Sequence, residues 1–499
     1  MTVSLAILGF FFAVAIALGV LAKRGHDMTL EQWSVGGRGF GSIFVFLLMA
    51  GEIYTTFTFL GGSGWAYGKG APALYILCYL TLAYTISYFL LPAIWRYARG
   101  RGFVSQADFF IAKYESPAMG LVVSMVGVAA LVPYLVLQLK GLGIIVTEAS
   151  YGAISPVTAM WCGTAALIVF VVVSGVRGSA WNATLKDIMI LVIVVTMGVY
   201  LPHHFYGGYA KMFAAIDAAK PGFLTLPDHG LSPSWFISTV LLTSVGVYTW
   251  PQFFAGVYTA KSENVFRKNA VMLPLYQLVV LFVFFTGFAA ILAVPGLTGT
   301  DADLSLFRVA KQALAPWAVG MIGAAGLLTA LVPGSMLLIT AATILAKNIF
   351  RVAVPASSDR AVGFVARSMV PVLALVSLYL ALHGGQAIVA LLLMGYNVVT
   401  QLFPALLLSF GERPRISKAA ALSGILAGEF TVAAVSLSGT SLEKLAPWLP
   451  HAAMDLNIGV VALLVNVAVT GMVSLFARAH PTRSAYTPRA GLAEADRDI

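Results

Sequence analysis

Charged residues are scarce in this sequence. They make up 10% of the 499 residues, whereas hydrophobic residues make up 60%. A soluble fold of this length needs many more polar and charged side chains to cover its surface. The composition therefore excludes a soluble protein. Apolar runs of about 20 residues recur from end to end and predict a polytopic, all-α membrane protein.

Clusters of cysteine and histidine are also missing. The two cysteines, Cys78 and Cys162, both lie within apolar runs, which excludes a disulfide framework and a cysteine-rich metal site. The seven histidines lie in loops or at the ends of apolar runs, and no HExxH motif, Walker loop or dinucleotide fingerprint occurs. We therefore expect neither an enzyme nor a resident metal or cofactor.

The basic residues indicate orientation and not nucleic-acid binding. The net charge is +10, but the lysines and arginines lie in short loops between apolar runs. The first run begins at Val3 and ends at Lys23 and Arg24, which is the reverse of the charge order of a secretory signal. We expect this run to remain as a helix with its N-terminus outside. The expected surroundings are a lipid bilayer, with no nucleic acid and no obligate protein partner.

The apolar runs predict about thirteen membrane spans. They lie near residues 3–22, 41–67, 72–95, 117–147, 157–175, 183–203, 233–257, 271–297, 317–346, 368–386, 386–410, 419–438 and 456–477. Most lysines and arginines fall in the odd-numbered loops and the tail, so the positive-inside rule places these and the C-terminus in the cytoplasm. Residues 1–478 are expected to form a single domain, and 479–499 a disordered cytoplasmic tail.

Span 2 has an unusually polar centre. Its sequence MAGEIYTTFTFLGG places Gly51, Glu52, Tyr54, Thr55 and Thr58 near mid-membrane depth. Glycine allows such a helix to unwind, and the freed carbonyls can bind a cation. A tightly packed helix with threonines bonded to its own carbonyls is the alternative. A carboxylate at this depth needs a partner or a proton, so Glu52 indicates an ion or proton role.

Span 7 is interrupted as well. Its sequence SVGVYTWPQFF contains Trp250, Gln252 and a proline that removes a backbone donor. If residues 41–203 and 233–410 are inverted repeats, both interruptions fall in the first helix of each repeat, as expected of a transporter's midplane site. A simple proline kink is the alternative. The spans outside the repeats, and therefore peripheral, are 3–22, 419–438 and 456–477.

Ionisable residues in three other spans are candidates for a role. Lys140 of span 4 is the one basic residue assigned to a span interior, and it can pair with Glu52, receive a substrate carboxylate or extend to an interface. Lys186 and Asp187 fall near the cytoplasmic start of span 6, where an interfacial helix-start acid is one reading of Asp187. Glu429 of span 12 is expected to have a structural role.

Four segments together resemble the sodium/solute symporter family: TFTFLGGSGWAYGKG, GVRGSAWNATLKD, WPQFFAGVYTAKSENVFRKNA and QLFPALLL. The sequences GEIYTTFTFLGGSGWAYGKG and VPYLVLQLKGLGIIV most resemble bacterial monocarboxylate permeases. The resemblance implies a leucine-transporter-like fold with a five-plus-five inverted repeat, alternating access, and a place in the bacterial cytoplasmic (inner) membrane. It implies import of a small organic anion such as lactate or pyruvate. The alternatives are a sodium-coupled symporter of an amino acid or another organic solute, and a transporter-like membrane sensor.

The resemblance also implies a sodium site. In this sequence its backbone carbonyls correspond to Gly51 and Tyr54 of span 2 and Thr329 of span 9. Its two hydroxyl positions fall on Val332 and Pro333, which cannot bind sodium, so protons are slightly favoured over sodium as the coupling ion. The candidate residues for ion coupling are Gly51, Glu52, Tyr54, Thr329 and Ser335.

The substrate is expected between the breaks of spans 2 and 7, where half-helix N-termini favour a carboxylate. An anion that enters against a negative-inside potential requires a co-transported cation, since each charge costs about 2.3 kcal/mol per 100 mV. The candidate substrate-binding residues are Tyr54, Thr55, Thr58, Gln138, Lys140, Trp250 and Gln252, with Asn397 and Gln401 of span 11 behind them.

Overall fold

The computed structural model describes residues 2–24, 28–439, 442–445 and 447–479. Its helices begin with α1 Thr2–Lys23, α2 Leu30–Val35, α3 Ser42–Gly51, α4 Gly62–Lys69, α5 Tyr75–Ala98, α6 Gln106–Tyr114, α7 Pro117–Ala149, α8 Pro156–Tyr206, α9 Tyr209–Ala219, α10 Pro233–Gly246 and α11 Pro251–Thr259. They continue with α12 Asn264–Gln277, α13 Val280–Ala293, α14 Ser305–Ala313, α15 Pro316–Ile344, α16 Arg351–Ala353, α17 Asp359–His383, α18 Ile388–Val399, α19 Phe403–Leu408, α20 Lys418–Ser438, α21 Leu442–Leu445, α22 His451–Met454 and α23 Ile458–Ala479. From residue 480 onward, the predicted tail lies outside the described residues.

The all-helical, multi-pass class is confirmed. Ten helices in the described part are long and apolar enough to cross a bilayer. One of them, α8, has 51 residues and bends at Gly175, where φ is 57° and ψ is −158°. Two further elements, α3 with α4 and α10 with α11, are pairs of shorter helices separated by a break. The count of about thirteen crossings and the outside position of the N-terminus stay predictions.

The interruptions predicted in spans 2 and 7 are both present. Helix α3 ends at Gly51, and helical structure resumes with a π-helical turn at Phe57–Gly61 that leads into α4. Between α10 and α11, Trp250 adopts an extended conformation. The start of α3 meets the end of α11, because the N–H of Phe40 donates to the carbonyl of Thr259 at 2.9 Å. Helices α3 and α11 also contact each other. The two broken helices therefore lie side by side in opposite directions, as inverted repeats require.

The second half of α8 corrects the predicted start of span 6 at residue 183. The segment after Gly175 is helical without a loop, and its small and polar residues pack against α1. Gly178 lies against the α1 backbone, and the side-chain amide of Asn182 donates to a carbonyl of α1 at 3.0 Å. Lys186 is eleven residues beyond the bend, or about 16 Å along the helix. The interpretation of Asp187 as an interfacial helix-start acid is therefore wrong.

Helix α6 lies beneath the break between α10 and α11. Phe109 of this helix is fully buried. The side-chain amide of Gln106 donates to the carbonyl of Thr249 at 2.6 Å. Asp108 pairs with Lys347, which follows α15, at 2.8 Å. Helix α6 therefore supports the break from one side.

Candidate functional site

Two threonines hold the backbone of the first break. The hydroxyl of Thr58 donates to the carbonyl of Ile53 at 2.7 Å and accepts from the N–H of Thr55 at 3.1 Å. The hydroxyl of Thr55 accepts from the N–H of Phe57 at 3.1 Å. These bonds satisfy backbone groups that the interruption leaves without helical partners. Both threonines are fully buried, so their hydroxyls stabilise the break itself.

Gln138 supports the same break from α7. Its Oε1 atom accepts from the hydroxyl of Thr56 at 2.7 Å and from the N–H of Thr56 at 3.4 Å. Tyr54, another predicted substrate residue, packs edge-on against the ring of Tyr276 with centroids 5.1 Å apart. Both Gln138 and Tyr54 are buried. Their contacts therefore hold the backbone of the first break in place within the protein interior.

A small cavity of about 30 Å³ lies between the two breaks. Seven aromatic side chains line it, among them Tyr79, Tyr134, Trp250 and Tyr396. The ring of Trp250 meets Tyr134 and Tyr396 edge-on, with centroid separations of 5.2 and 5.3 Å. The one charged residue in the lining is Glu52. A volume of this size holds about two water molecules, so a solute can enter only when the surrounding helices separate.

Glu52 lies between this cavity and a second one. The second cavity, of about 20 Å³, is lined by Glu52, Gln252 and Met336 among others. The side chain of Gln252 lies beside the Glu52 carboxyl group. The Oε2 atom of Glu52 is buried and has no hydrogen-bond partner among the described residues. A carboxyl oxygen in this position can carry a proton or accept a hydrogen bond from a bound solute.

Lys186 brings a positive charge to the first break. Its ammonium nitrogen donates to the carbonyls of Gly51 at 2.8 Å and Tyr54 at 3.1 Å. The same nitrogen lies 3.1 Å from Oδ1 of Asp187, and the lysine side chain has no exposed surface. An ammonium group has three donors, and here it has three oxygen neighbours. The two carbonyls are those that the family resemblance assigned to sodium, so a cation of the protein itself occupies this position.

Helix α15 places the apolar side chain of Val332 near Gly51 and the ammonium group of Lys186. A Cβ atom added at Gly51 would lie 3.4 Å from the nitrogen of Lys186 and 3.9 Å from Cγ1 of Val332. Both distances are ordinary van der Waals contacts, so the ammonium group and Val332 both lie close to Gly51. Thr329 and Ser335, the candidate ion ligands of α15, both donate their hydroxyls to carbonyls within that helix at 2.6 Å.

Lys140 does not reach Glu52. Its nitrogen donates to the carbonyls of Gly384 at 3.1 Å and Gln386 at 2.6 Å, in the loop between α17 and α18. None of the ion pairs in the described part joins Lys140 to Glu52. The pairing of Lys140 with Glu52 is therefore wrong in this structure.

Asn397 and Gln401 connect α18 to α23. The side-chain amide of Gln401 donates to the carbonyls of Asn397 and Gly459, both at 3.1 Å. The amide of Asn466 donates to the carbonyl of Gln401 at 2.7 Å. Neither Asn397 nor Gln401 lines the small cavity. Of the predicted substrate residues, only Trp250 and Gln252 do so, and the substrate roles of all nine stay predictions.

Sequence reasoning missed four residues of this region. The sequence places Lys186 near the membrane interface and gives no individual signal for Tyr79, Tyr134 and Tyr396, although all three tyrosines line the cavity. Aromatic residues in apolar runs usually signify packing, so the tyrosines carry no individual signal. The available signal for Lys186 was its position about 16 Å beyond Gly175 if the intervening residues are helical.

Comparisons with known proteins agree with this architecture. The model of the sodium:solute symporter family matches residues 33–428. An uncharacterised symporter, YhjB of Bacillus subtilis strain 168, is 58% identical over 96% of this chain and 98% of its own. A monocarboxylate transport permease of Rhizobium johnstonii is 28% identical over 94% of this chain and 96% of its own. A solved Na⁺-coupled sialic acid symporter in a substrate-bound, outward-open state covers 95% of this chain and 98% of its own, with a TM-score of 0.77 and 17% identity.

The structural likeness supports the fold, and the sequence matches support the family. Since the family's members are symporters, the expectation of a transporter and not an enzyme is confirmed. The two breaks, the cavity between them and these matches lead to one conclusion: this chain belongs to the sodium:solute symporter family.

Proposed function

We propose that this protein is a secondary transporter of the bacterial inner membrane that imports a short monocarboxylate together with a proton. One observation carries the choice of ion. The ammonium group of Lys186 binds the carbonyls of Gly51 and Tyr54, which a sodium ion would otherwise use. A second cation at the same oxygens would meet strong repulsion from the lysine. Val332 next to Gly51 also offers no oxygen from its side chain.

Glu52 is the proposed proton carrier. Its free Oε2 atom is buried, and its side chain lines the cavity between the breaks. An ionised Glu52 repels a carboxylate, whereas a protonated Glu52 can donate a hydrogen bond to it. Proton and anion therefore bind together, and loss of the proton to the cytoplasm expels the anion. One proton with one monocarboxylate carries no net charge, so the membrane potential does not oppose entry.

The proposed substrate class rests on the cavity and on one relative. Tyr79 and Tyr396 line the cavity and carry hydroxyl groups, and Trp250 lies at the N-terminus of α11. These groups can donate hydrogen bonds to a carboxylate, and a helix N-terminus favours negative charge. The Rhizobium johnstonii relative is a monocarboxylate transport permease, which supports the same class.

A short amino acid is the second candidate. One carboxylate, Glu52, surrounded by seven aromatic side chains is also suited to an ammonium group, because aromatic faces attract cations. An amino acid would place its ammonium group at Glu52 and its carboxylate at the N-terminus of α11. An amino acid also carries one carboxylate. In this candidate, however, Glu52 recognises the substrate and does not carry a proton.

Competition for uptake separates the two candidates. Purified protein in liposomes should take up radiolabelled pyruvate, and unlabelled lactate, pyruvate and acetate should compete for it. Trp250→Ala should reduce uptake at least tenfold because it removes an aromatic wall and its indole donor. Trp317→Ala is the matched control, since Trp317 is 60% exposed on the surface of α15.

Protein-free liposomes supply the baseline for passive entry of the undissociated acids. Saturable uptake of labelled alanine or proline, with no saturable uptake of labelled pyruvate, would favour the second candidate. No saturable uptake of any of these compounds would contradict both.

A further inference from the structure

A separate cavity of about 140 Å³ lies where the outer ends of the two broken helices meet α5. Its lining includes Arg38 before α3, Trp95 and Arg99 at the end of α5, and Tyr258 and Lys261 at the end of α11. None of these residues lines the cavity between the breaks. Arg99 and Lys261 are exposed, so the cavity opens to the surface. The positive-inside rule predicts that this surface faces the cytoplasm.

The charged residues of this lining are all basic: Arg38, Arg99 and Lys261. Arg38 forms an ion pair with Glu31 at 2.7 Å, whereas Arg99 and Lys261 form none among the described residues. An arginine and an exposed lysine are charged at neutral pH. Two of the three positive charges are therefore not compensated by a carboxylate, so the lining selects an anion.

The guanidinium group of Arg38 is held in place by the protein itself. Its Nε atom donates to Glu31 at 2.7 Å, and its Nη2 atom donates to the carbonyl of Phe103 at 2.6 Å. A guanidinium group has five donors, so three of the five have no partner among the described residues. The φ of Arg38 is 60°, a conformation that is uncommon outside glycine and is concentrated at binding sites. Arg38 can therefore bind an anion without losing its own contacts.

Hydrogen bonds between the helix ends fix the other walls. The indole N–H of Trp95 donates to the carbonyl of Ala260 at 2.9 Å. The guanidinium carbon of Arg99 lies 5.5 Å from the centroid of the Trp95 ring. The N–H of Lys261 donates to the carbonyl of Phe40 at 3.0 Å. An anion bound in this cavity therefore links the ends of both broken helices to α5.

Tyr258 forms a buried part of the wall. The residue is 1% exposed, and its hydroxyl group has no hydrogen-bond partner among the described residues. Buried hydroxyl groups are normally paired. The hydroxyl of Tyr258 therefore retains a donor for a ligand, beside three cationic groups.

We propose that this cavity binds a phosphate dianion, carried either by a soluble molecule or by the phosphomonoester headgroup of a lipid. A phosphate group carries nearly two negative charges at neutral pH, which matches the two uncompensated positive charges. The planar fork of an arginine also fits phosphate oxygens in pairs. A monocarboxylate leaves one of the cations unpaired, so this cavity is not a second site for the transported solute.

Direct binding tests this proposal without any assumption about transport. The full-length protein in nanodiscs of phosphatidylcholine is titrated with radiolabelled inorganic phosphate at neutral pH, and the signal of empty nanodiscs is subtracted. We expect one saturable site per protein, with competition by sulfate and none by acetate. Lys261→Gln should weaken binding about tenfold, because a charge-assisted hydrogen bond is replaced by a neutral one. Tyr258→Phe should weaken it about threefold, since only one hydroxyl donor is removed.

Arg360→Gln is the matched control, since Arg360 is an exposed arginine at the start of α17, on the same predicted face. It should bind as the unmodified protein does. A melting temperature for each variant distinguishes loss of the site from loss of the fold. Equal binding by Lys261→Gln and the unmodified protein, or no saturable binding above empty nanodiscs, would overturn the proposal. Stronger competition by succinate than by sulfate would overturn the assignment to phosphate.

A change of lipid distinguishes the two sources of the phosphate group. Phosphatidic acid carries a phosphomonoester, whereas phosphatidylglycerol is anionic but carries a phosphodiester. Loss of phosphate binding in nanodiscs with phosphatidic acid, but not in those with phosphatidylglycerol, would identify a lipid headgroup as the occupant. Equal binding in both would identify a soluble phosphate.

Discussion

Replacement of Lys186 by alanine is expected to reduce uptake at least a hundredfold and to create a sodium-binding site. The change removes the buried donor to the carbonyls of Gly51 and Tyr54 and leaves Asp187 without its cation. Loss of one partner from a buried ion pair costs about 3–5 kcal/mol. The vacated position retains two carbonyls and a carboxylate, which are the hard oxygen ligands that sodium requires.

The melting temperature of the purified variant measures this effect. In Lys186→Ala it should rise with sodium chloride relative to choline chloride of equal concentration, because an ion that binds the folded state stabilises it. In the unmodified protein the two salts should have equal effects. Lys211→Ala is the control, since Lys211 is an exposed lysine on the short helix α9. Normal uptake by Lys186→Ala would show that the ammonium group is not needed at the break.

Replacement of Glu52 by glutamine is expected to abolish proton-driven accumulation while exchange of substrate across the membrane continues. The amide resembles a protonated carboxyl group in size and can donate a hydrogen bond to the substrate. It cannot release a proton, so the gradient no longer performs work on the solute. Counterflow, in which unlabelled substrate inside liposomes drives entry of labelled substrate, measures exchange without a gradient.

Two comparisons make the result for Glu52 specific. Glu412→Gln, at an exposed glutamate in the loop after α19, should retain both accumulation and exchange. Loss of both activities in a correctly folded Glu52→Gln variant would favour direct recognition of an ammonium group by Glu52, as in the amino-acid candidate. Full proton-driven accumulation in that variant would contradict the proton role.

The sequence allowed the breaks to be predicted because local chemistry determines them. Glycine at residue 51, the threonines at 55 and 58 and the proline after Trp250 each weaken a helix at that point. In the structure α3 ends at Gly51 and α11 begins after Trp250. The carbonyls of Gly51 and Tyr54, which the resemblance assigned to a sodium site, accept hydrogen bonds from Lys186, and their part in ion coupling stays a prediction.

The identity of that cation could not be predicted from hydropathy. The small and polar residues before Lys186, such as Gly178 and Asn182, lower the hydropathy of the segment as a loop does. Their role depends on α1, which packs against them. Lys140 lies in a more apolar run, which favours its assignment to the interior of a span, although its carbonyl partners lie in the distant loop at Gly384. Contacts between residues far apart in sequence decide both cases.

The most direct test of the account compares ion gradients in liposomes that contain the unmodified protein. Uptake of labelled pyruvate is measured with acid outside in sodium-free buffer, and separately with an inward sodium gradient at equal pH. Passive accumulation of the weak acid is subtracted with protein-free liposomes, and Glu52→Gln serves as the second baseline. The account predicts uptake driven by the proton gradient without sodium and no increase when a sodium gradient is imposed. Strict dependence on the sodium gradient would contradict it and would mean that sodium binds while Lys186 remains at the break.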